Sequence, residues 1–215
     1  MSVSVTIISD THAMHGSLSL PGGDILIHCG DMLDLFDRDA AALTDIDDWF
    51  GRQDYPTILV TGGNHDLALE AALARTKQPF RNARYLQDER LTVEGLDIYA
   101  APWVPELASH AFHLDDDALR DRWAAIPSGL DILVTHVPPA GILDHSSRGH
   151  SHGCPHLAAQ IERIAPRLHC FGHVHASASQ VRIGDTLFVN ASSAISGERA
   201  VRAPFVLDVE PGRTA

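Results

Sequence analysis

The chain has 215 residues, is 45% hydrophobic and carries a formal net charge of −12. That length and apolar content suit one compact domain, residues 1–215, with a sizeable core. The acidic balance argues against extended nucleic acid or an anionic membrane as partner, and no apolar run is long enough to span a bilayer.

Residues 1–5 lead straight into strand-like sequence with no secretory apolar core, so the expected setting is the cytoplasm. Cys29, Cys154 and Cys170 are an odd set without framework spacing, which predicts free thiols. Cys29 and Cys170 sit inside apolar runs and read as buried small hydrophobes. Histidine is the outlier, at 14 residues.

Residues 3–9 are β-branched and apolar, a central strand that ends in Asp10-Thr11-His12. Two residues apart in extended chain, Asp10 and His12 point to one side. Residues 24–29 form a second strand ending in Gly30-Asp31. Residues 38–50 predict a helix with Leu43, Ile46 and Trp49 or Phe50 inward and Asp45, Asp47 and Asp48 outward. A third strand, Thr57-Ile58-Leu59-Val60, delivers Gly63-Asn64-His65-Asp66, and a helix follows over 67–75. That turn has two readings. Gly62-Gly63-Asn64 tolerates positive φ and Asp66 can cap the helix. Alternatively it is a ligand site, since ligands gather at the carboxyl ends of strands in α/β sheets.

The second half is richer in hairpins. Strands over 90–93 and 96–101 flank Glu94-Gly95, and strands over 180–183 and 186–189 flank Gly184-Asp185. Between them come a loop at 101–105 and a helix over 115–126 with Leu119, Trp123 and Ile126 on one face. Residues 130–135 form a strand stopped by His136-Val137-Pro138-Pro139. Residues 141–153 are a polar loop carrying His145, Arg148, His150 and His152. Pro155 opens a helix with Leu157, Ile161 and Ile164 on its apolar face. A strand over 168–171 ends in Gly172-His173-Val174-His175, and a last strand spans 203–209 before a loose tail at 211–215. The mixture predicts two mixed sheets packed together with helices outside.

Five strand ends thus carry metal-type ligands: Asp10 and His12; Asp31; Asn64 and His65; His136; His173 and His175. Imidazoles with two carboxylates and an amide oxygen suit Mn, Fe, Zn, Co or Ni rather than Ca or Mg. The donors are too many for one ion and about right for two, with a carboxylate such as Asp31 able to bridge.

Asp10-x-His12, Gly30-Asp31, Gly63-Asn64-His65-Asp66, His136 and Gly172-His173-x-His175 resemble the motif set of the calcineurin-like metallophosphoesterase superfamily. Tyr85-Leu86-Gln87-Asp88, Ala101-Pro102-Trp103, the 132–136 segment with Pro138-Pro139, Gly153-Cys154 and the 189–192 segment are similar to its small metallophosphoesterase-domain proteins. These are relatives of class III cyclic nucleotide phosphodiesterases. The resemblance implies an α/β, four-layer αββα sandwich of two mixed β-sheets flanked by helices, of the metallo-dependent phosphatase type. It implies two transition-metal ions, Mn or Fe foremost. Asp10, His12 and His175 would hold one, Asn64, His136 and His173 the other, and Asp31 would bridge. The implied reaction is attack of a metal-activated hydroxide on a small phosphoester. His65, off the metals, would protonate the leaving group.

Several readings stay open. Asp66 either orients His65 or caps the helix. His28 and His169 read as satisfied core or supporting imidazoles; His15, His110 and His113 read as surface residues. His145, His150, His152 and His156 offer a third metal site, but the Gly/Ser content of the loop at 141–153 is more in keeping with a mobile cover over the site. Arg148 either meets substrate or is solvated, and Asn190 is a candidate to support the site from behind. The substrate is a phosphodiester such as a cyclic nucleotide, or a phosphomonoester, a phosphoprotein included. A metal-binding regulatory protein without turnover is the rival from another class. Oligomeric state is left open.

Overall fold

The computed structural model describes residues 2–195 and 201–212. In chain order the first half forms β1 (Val3–Ile8), β2 (Ile25–His28), α1 (Ala40–Phe50), β3 (Thr57–Val60), α2 (Leu67–Leu73) and β4 (Arg84–Tyr85). The second half forms β5 (Glu89–Val93), β6 (Leu96–Ala101), α3 (Asp116–Ala124), β7 (Ile132–Thr135), α4 (Pro155–Ala158), α5 (Ile161–Ile164), β8 (Leu168–Phe171), β9 (Ser179–Ile183), β10 (Thr186–Asn190) and β11 (Phe205–Val209).

Two mixed sheets result. One has the order β11-β1-β2-β3-β4, with only β11 antiparallel; the other has β5-β6-β7-β8-β10-β9, with parallel strands inside and a hairpin strand at each edge. Parallel register, such as Ile8 opposite His28 opposite Val60, brings the strand ends level. Val5, Ile7, Ile27 and Leu59 of one sheet meet Ile98, Ile132, Val134 and Cys170 of the other in a core between the sheets. The outer faces bury Leu43, Ile46 and Phe50 of α1, Leu119 and Trp123 of α3, and Leu157 and Ile164 of α4 and α5. The four layers, helix, sheet, sheet, helix, are those expected.

Some local expectations change. Asp47 is buried rather than outward: its carboxylate accepts the backbone N–H groups of Arg81 at 3.0 Å and Asn82 at 2.9 Å. Its neighbours Asp45 and Asp48 are exposed. His15 is buried too, with Nε2 3.1 Å from Asp45 and its ring against Trp49. The helix opened by Pro155 breaks into two short turns, where Gln160 bonds back to Leu157 rather than one residue further. β4 has only two residues and no periodic signature. The tail's last residues, 213–215, lie outside the described chain.

Candidate metal centre

The strand ends that carry the predicted donors meet above the seam between the sheets. Three of the five leave their strands through unusual backbone. Asp10, His12, Asp31 and His173 have φ of 52°, 42°, 54° and 67°, a left-handed region that non-glycine residues seldom enter. Hydrogen bonds between loops hold them there. Asp10 N–H donates to Gly30 O at 2.9 Å, His12 N–H to Asp31 O at 3.1 Å and Gly172 N–H to His136 O at 2.9 Å. Two glycines permit the approach. A Cβ on Gly63 would lie 2.3 Å from Asp31 Oδ1, and one on Gly172 would lie 2.1 Å from Asp10 Oδ2.

The donor atoms fall into two groups. In the first, His12 Nε2 stands 3.1 Å from His175 Nε2, and Asp10 Oδ1 is 3.4 Å from His175 Nε2. In the second, Asn64 Oδ1 lies 3.0 Å from His136 Nε2 and 2.9 Å from His173 Nδ1. Asp31 stands between them, its Oδ2 3.4 Å from His136 Nε2 and 4.0 Å from His12 Nε2. The ligand atoms of Asp10, His12 and His175, and those of Asp10, Asp31 and His136, all converge within 4.8 Å. Nitrogen donors with carboxylates fit first-row transition ions.

The charges fit the same reading. Burial disfavours charge on Asp10 and Asp31, yet neighbouring imidazoles, His175 and His136 foremost, hold both carboxyls well below the usual carboxylate range. Burial also opposes charge on His136, but Asp31 pushes it up to about 9. A bound cation would do for these buried carboxylates what the protonated imidazole does here.

His65 is half-buried at the edge of this group. Its backbone N–H, not its ring, donates to Asp31 Oδ1 at 2.7 Å. The ring packs edge-on to His12 at 4.6 Å, with Nε2 4.0 Å from Asp31 Oδ2 and no partner for the buried Nδ1. The ligand atoms of His12, Asp31 and His65 also lie within 4.8 Å, so His65 is within reach of an ion as well. Burial lowers its pKa, against the pull of Asp31.

Asp66 neither orients His65 nor caps α2. Its carboxylate points inward, where Oδ2 accepts Asp31 N–H and Gly63 N–H at 2.9 Å each, and Oδ1 accepts Leu33 N–H at 2.9 Å. Burial, then the charge of Asp31, raises its pKa to about 7.

A cleft of about 590 Å³ opens over the centre, lined by Asn64, His173 and His175 below and by Leu107, His110, Ser151 and His152 at the sides. His110, expected at the surface, is half-buried with its ring 6.1 Å from that of His65. Glu70 accepts Phe112 N–H at 2.7 Å while Ala111 N–H donates to Asn64 O at 3.1 Å, so α2 braces this wall. Nothing in helix periodicity distinguishes Glu70 from a solvated carboxylate.

The loop at 141–153 is tied down rather than draped. Buried Asp144 accepts Gly141 N–H at 2.9 Å and the Ser151 hydroxyl, and its carbonyl accepts His152 N–H at 2.9 Å. Asn190 donates to Leu143 O at 3.1 Å and to Val174 O at 3.0 Å, joining the loop to the His173–His175 turn. Ser146, Ser147, Ser151 and His152 line the cleft; Arg148 is exposed and is not part of its lining. Trp103 is buried behind the wall, donating to Asp88 at 2.8 Å beneath Arg122.

Comparison with known proteins follows the same lines. The calcineurin-like phosphoesterase family pattern matches residues 3–177. Metallophosphoesterase domain-containing protein 1 of Homo sapiens is 33% identical over 234 residues, covering 97% of this chain and 71% of that protein. Its Mus musculus counterpart gives the same figures. The crystal structure of TT1561 of Thermus thermophilus shares the fold, with a TM-score of 0.60 over 88% of this chain and 89% of that one at 14% identity. A match across most of the sequence, on a fold that gathers these donors at one place, makes this chain a member of the calcineurin-like phosphoesterase family, metal-using hydrolases of phosphoric esters.

Proposed function

We propose that the chain hydrolyses small phosphodiesters, cyclic nucleotides among them, in the cytoplasm. One observation carries the reading: seven donors from five strand ends converge as two groups around Asp31, three of them, Asn64, His173 and His175, lining a cleft. In this proposal Asp10, His12 and His175 would hold one ion, Asn64, His136 and His173 the other, and Asp31 would serve both. Mn or Fe is favoured, with Zn, Co or Ni possible on the same donors. When bound, such a pair neutralises phosphoryl oxygens and makes water nucleophilic near neutral pH.

The chain's own residues do the rest. Asp66 holds the Asp31 and Gly63 amides, and so the distance between the second and third ligand turns. His65 Nε2, 4.0 Å from Asp31 Oδ2 at the edge of the donors, gives a proton to the leaving oxygen, the charge of Asp31 opposing the effect of burial on its pKa. The side walls accept what hangs from the phosphate. A cleft of about 590 Å³ exceeds the room a bare phosphate needs, and the apolar Leu107 with Pro105 and Pro155 offers a face for a base or aryl group. All three cysteines are buried free thiols, which agrees with a reducing compartment.

The test is metal analysis of the purified chain, with parallel assays on an aryl phosphodiester and an aryl phosphomonoester. The proposal expects about two bound ions and a higher kcat/KM on the diester. A preference for the monoester would replace it with a phosphatase, and no turnover after Mn addition would leave a metal-binding regulator.

A further inference from the structure

Two fully buried histidines outside the donor set, His28 in β2 and His169 in β8, make the same kind of contact. Each brings Nε2 to a threonine hydroxyl, His28 to Thr11 at 3.0 Å and His169 to Thr135 at 2.9 Å. Each threonine adjoins the centre: Thr11 lies between Asp10 and His12, and Thr135 precedes His136. Each hydroxyl also reaches a backbone carbonyl, Met32 O at 3.3 Å or Val137 O at 2.7 Å.

The directions of these bonds are forced. A hydroxyl has one hydrogen, and a carbonyl only accepts. Each threonine therefore donates to its carbonyl and accepts from its imidazole, which must carry its hydrogen on Nε2. At His28 the other nitrogen extends the chain, because Gly30 N–H donates to Nδ1 at 3.3 Å. One neutral ring thus joins Gly30, Thr11 and Met32 in a single line of hydrogen bonds. The line begins and ends on either side of Asp31 and passes between Asp10 and His12. All three of those donors stand on left-handed backbone. At His169 the line stops at the ring, where buried Nδ1 has no partner.

We propose that His28 is a positioning residue of the metal centre: through Thr11 it locks the 10–12 turn to the Asp31 turn, and that lock sets the metal affinity of Asp10, His12, Asp31 and His175. The proposal rests on the metal-centre reading above. It goes beyond a packing role, because a packing role needs only the ring's volume and this one needs its Nε2–H.

The test titrates Mn²⁺ into the metal-stripped full chain by calorimetry and follows Co²⁺ visible absorption in parallel. His28→Phe keeps the volume and removes the bonds. It should weaken one of the two ions about 10–100-fold, the usual effect of losing a ligand's support, and change the Co²⁺ spectrum. His28→Gln, whose amide N–H can reach Thr11, should recover most of the affinity. Wild-type affinity in His28→Phe, or a Gln variant no better than Phe, overturns the proposal even if both unfold at lower temperature. Should His28→Phe fail to fold, Thr11→Val against Thr11→Ser gives the same contrast. A wild-type chain that takes up neither Mn²⁺ nor Co²⁺ overturns the metal-centre reading itself; normal wild-type uptake with unaltered variants overturns the lock alone.

Discussion

The carboxylate of Asp66 sits directly behind that of Asp31, accepting the Asp31 backbone N–H at 2.9 Å from a site with no solvent exposure. Two more buried amides, Gly63 and Leu33, end on the same carboxylate. Asp66→Ala leaves three donors without partners, at about 1–3 kcal/mol each. The expected outcome is a loss of about 3 kcal/mol or more in urea unfolding, together with loss of turnover. Asp66→Asn keeps two acceptor lone pairs and should be milder. An alanine variant within about 1 kcal/mol of wild type would show that these bonds do not hold the turn.

For His65 the backbone and the side chain have separate tasks. The N–H holds Asp31, and the ring stands against His12 with Nε2 4.0 Å from Asp31 Oδ2. His65→Ala therefore keeps the first and loses the second. Turnover should fall about 10²–10⁴-fold, the usual worth of a general acid, with bound metal unchanged by elemental analysis. Loss of an ion along with activity would instead place His65 among the ligands, as its distance to His12 and Asp31 permits.

Metal should stabilise the fold. A ligand at about 100 times its Kd adds about 2.7 kcal/mol, or about 5–10 °C in Tm for a chain of this size. Thermal melts with Mn²⁺ and with a chelator measure this. Coincident melts would mean that the buried donors do not form a metal site.

The Asp144 bonds predict a split between binding and chemistry. Asp144→Ala frees the loop that carries Ser151 and His152 into the cleft but touches no donor to the proposed ions. KM should rise roughly tenfold, about 1.4 kcal/mol of lost binding, with kcat little changed. A fall in kcat at constant KM would place the loop's role in the chemical step.

His169 predicts an acid limit to stability. Burial holds its pKa at about 3, against 6.5 in the unfolded chain. The folded ring stays neutral while the unfolded one takes a proton below 6.5. This contribution is intact above that pH and is lost as pH falls toward 3, at about 1.4 kcal/mol per unit. Between pH 6.5 and 5 the group should remove about 2 kcal/mol. His169→Gln, which has no such proton to take up, should show a shallower acid slope in denaturant unfolding. Parallel slopes would mean that the ring is hydrated in the fold.

The strand ends were legible because each is a largely apolar run, β-branched in all but β8, stopped by Gly, Pro or a polar triplet, and parallel pairing levels such ends. What could not be read was the far partner of a polar side chain. Asp47 has the spacing of a solvated residue, yet its partners at Arg81 and Asn82 lie more than thirty residues on. Asp66 offered two local readings, helix cap or His65 partner, and took two amides of the Asp31 turn and one of its own. His15 followed the same rule: isolated in sequence, it is placed by Asp45 and Trp49 of α1.

The division of donors between the sheets has a consequence for lifetime. Asp10, His12, Asp31 and Asn64 leave the first sheet; His136, His173 and His175 leave the second. The sheets cannot part without dissolving both donor groups. With ions held as proposed, metal occupancy would tie the two sheets together against the opening that a protease or an exchanging amide needs. Scarcity of metal would then shorten the protein's survival as well as silence it.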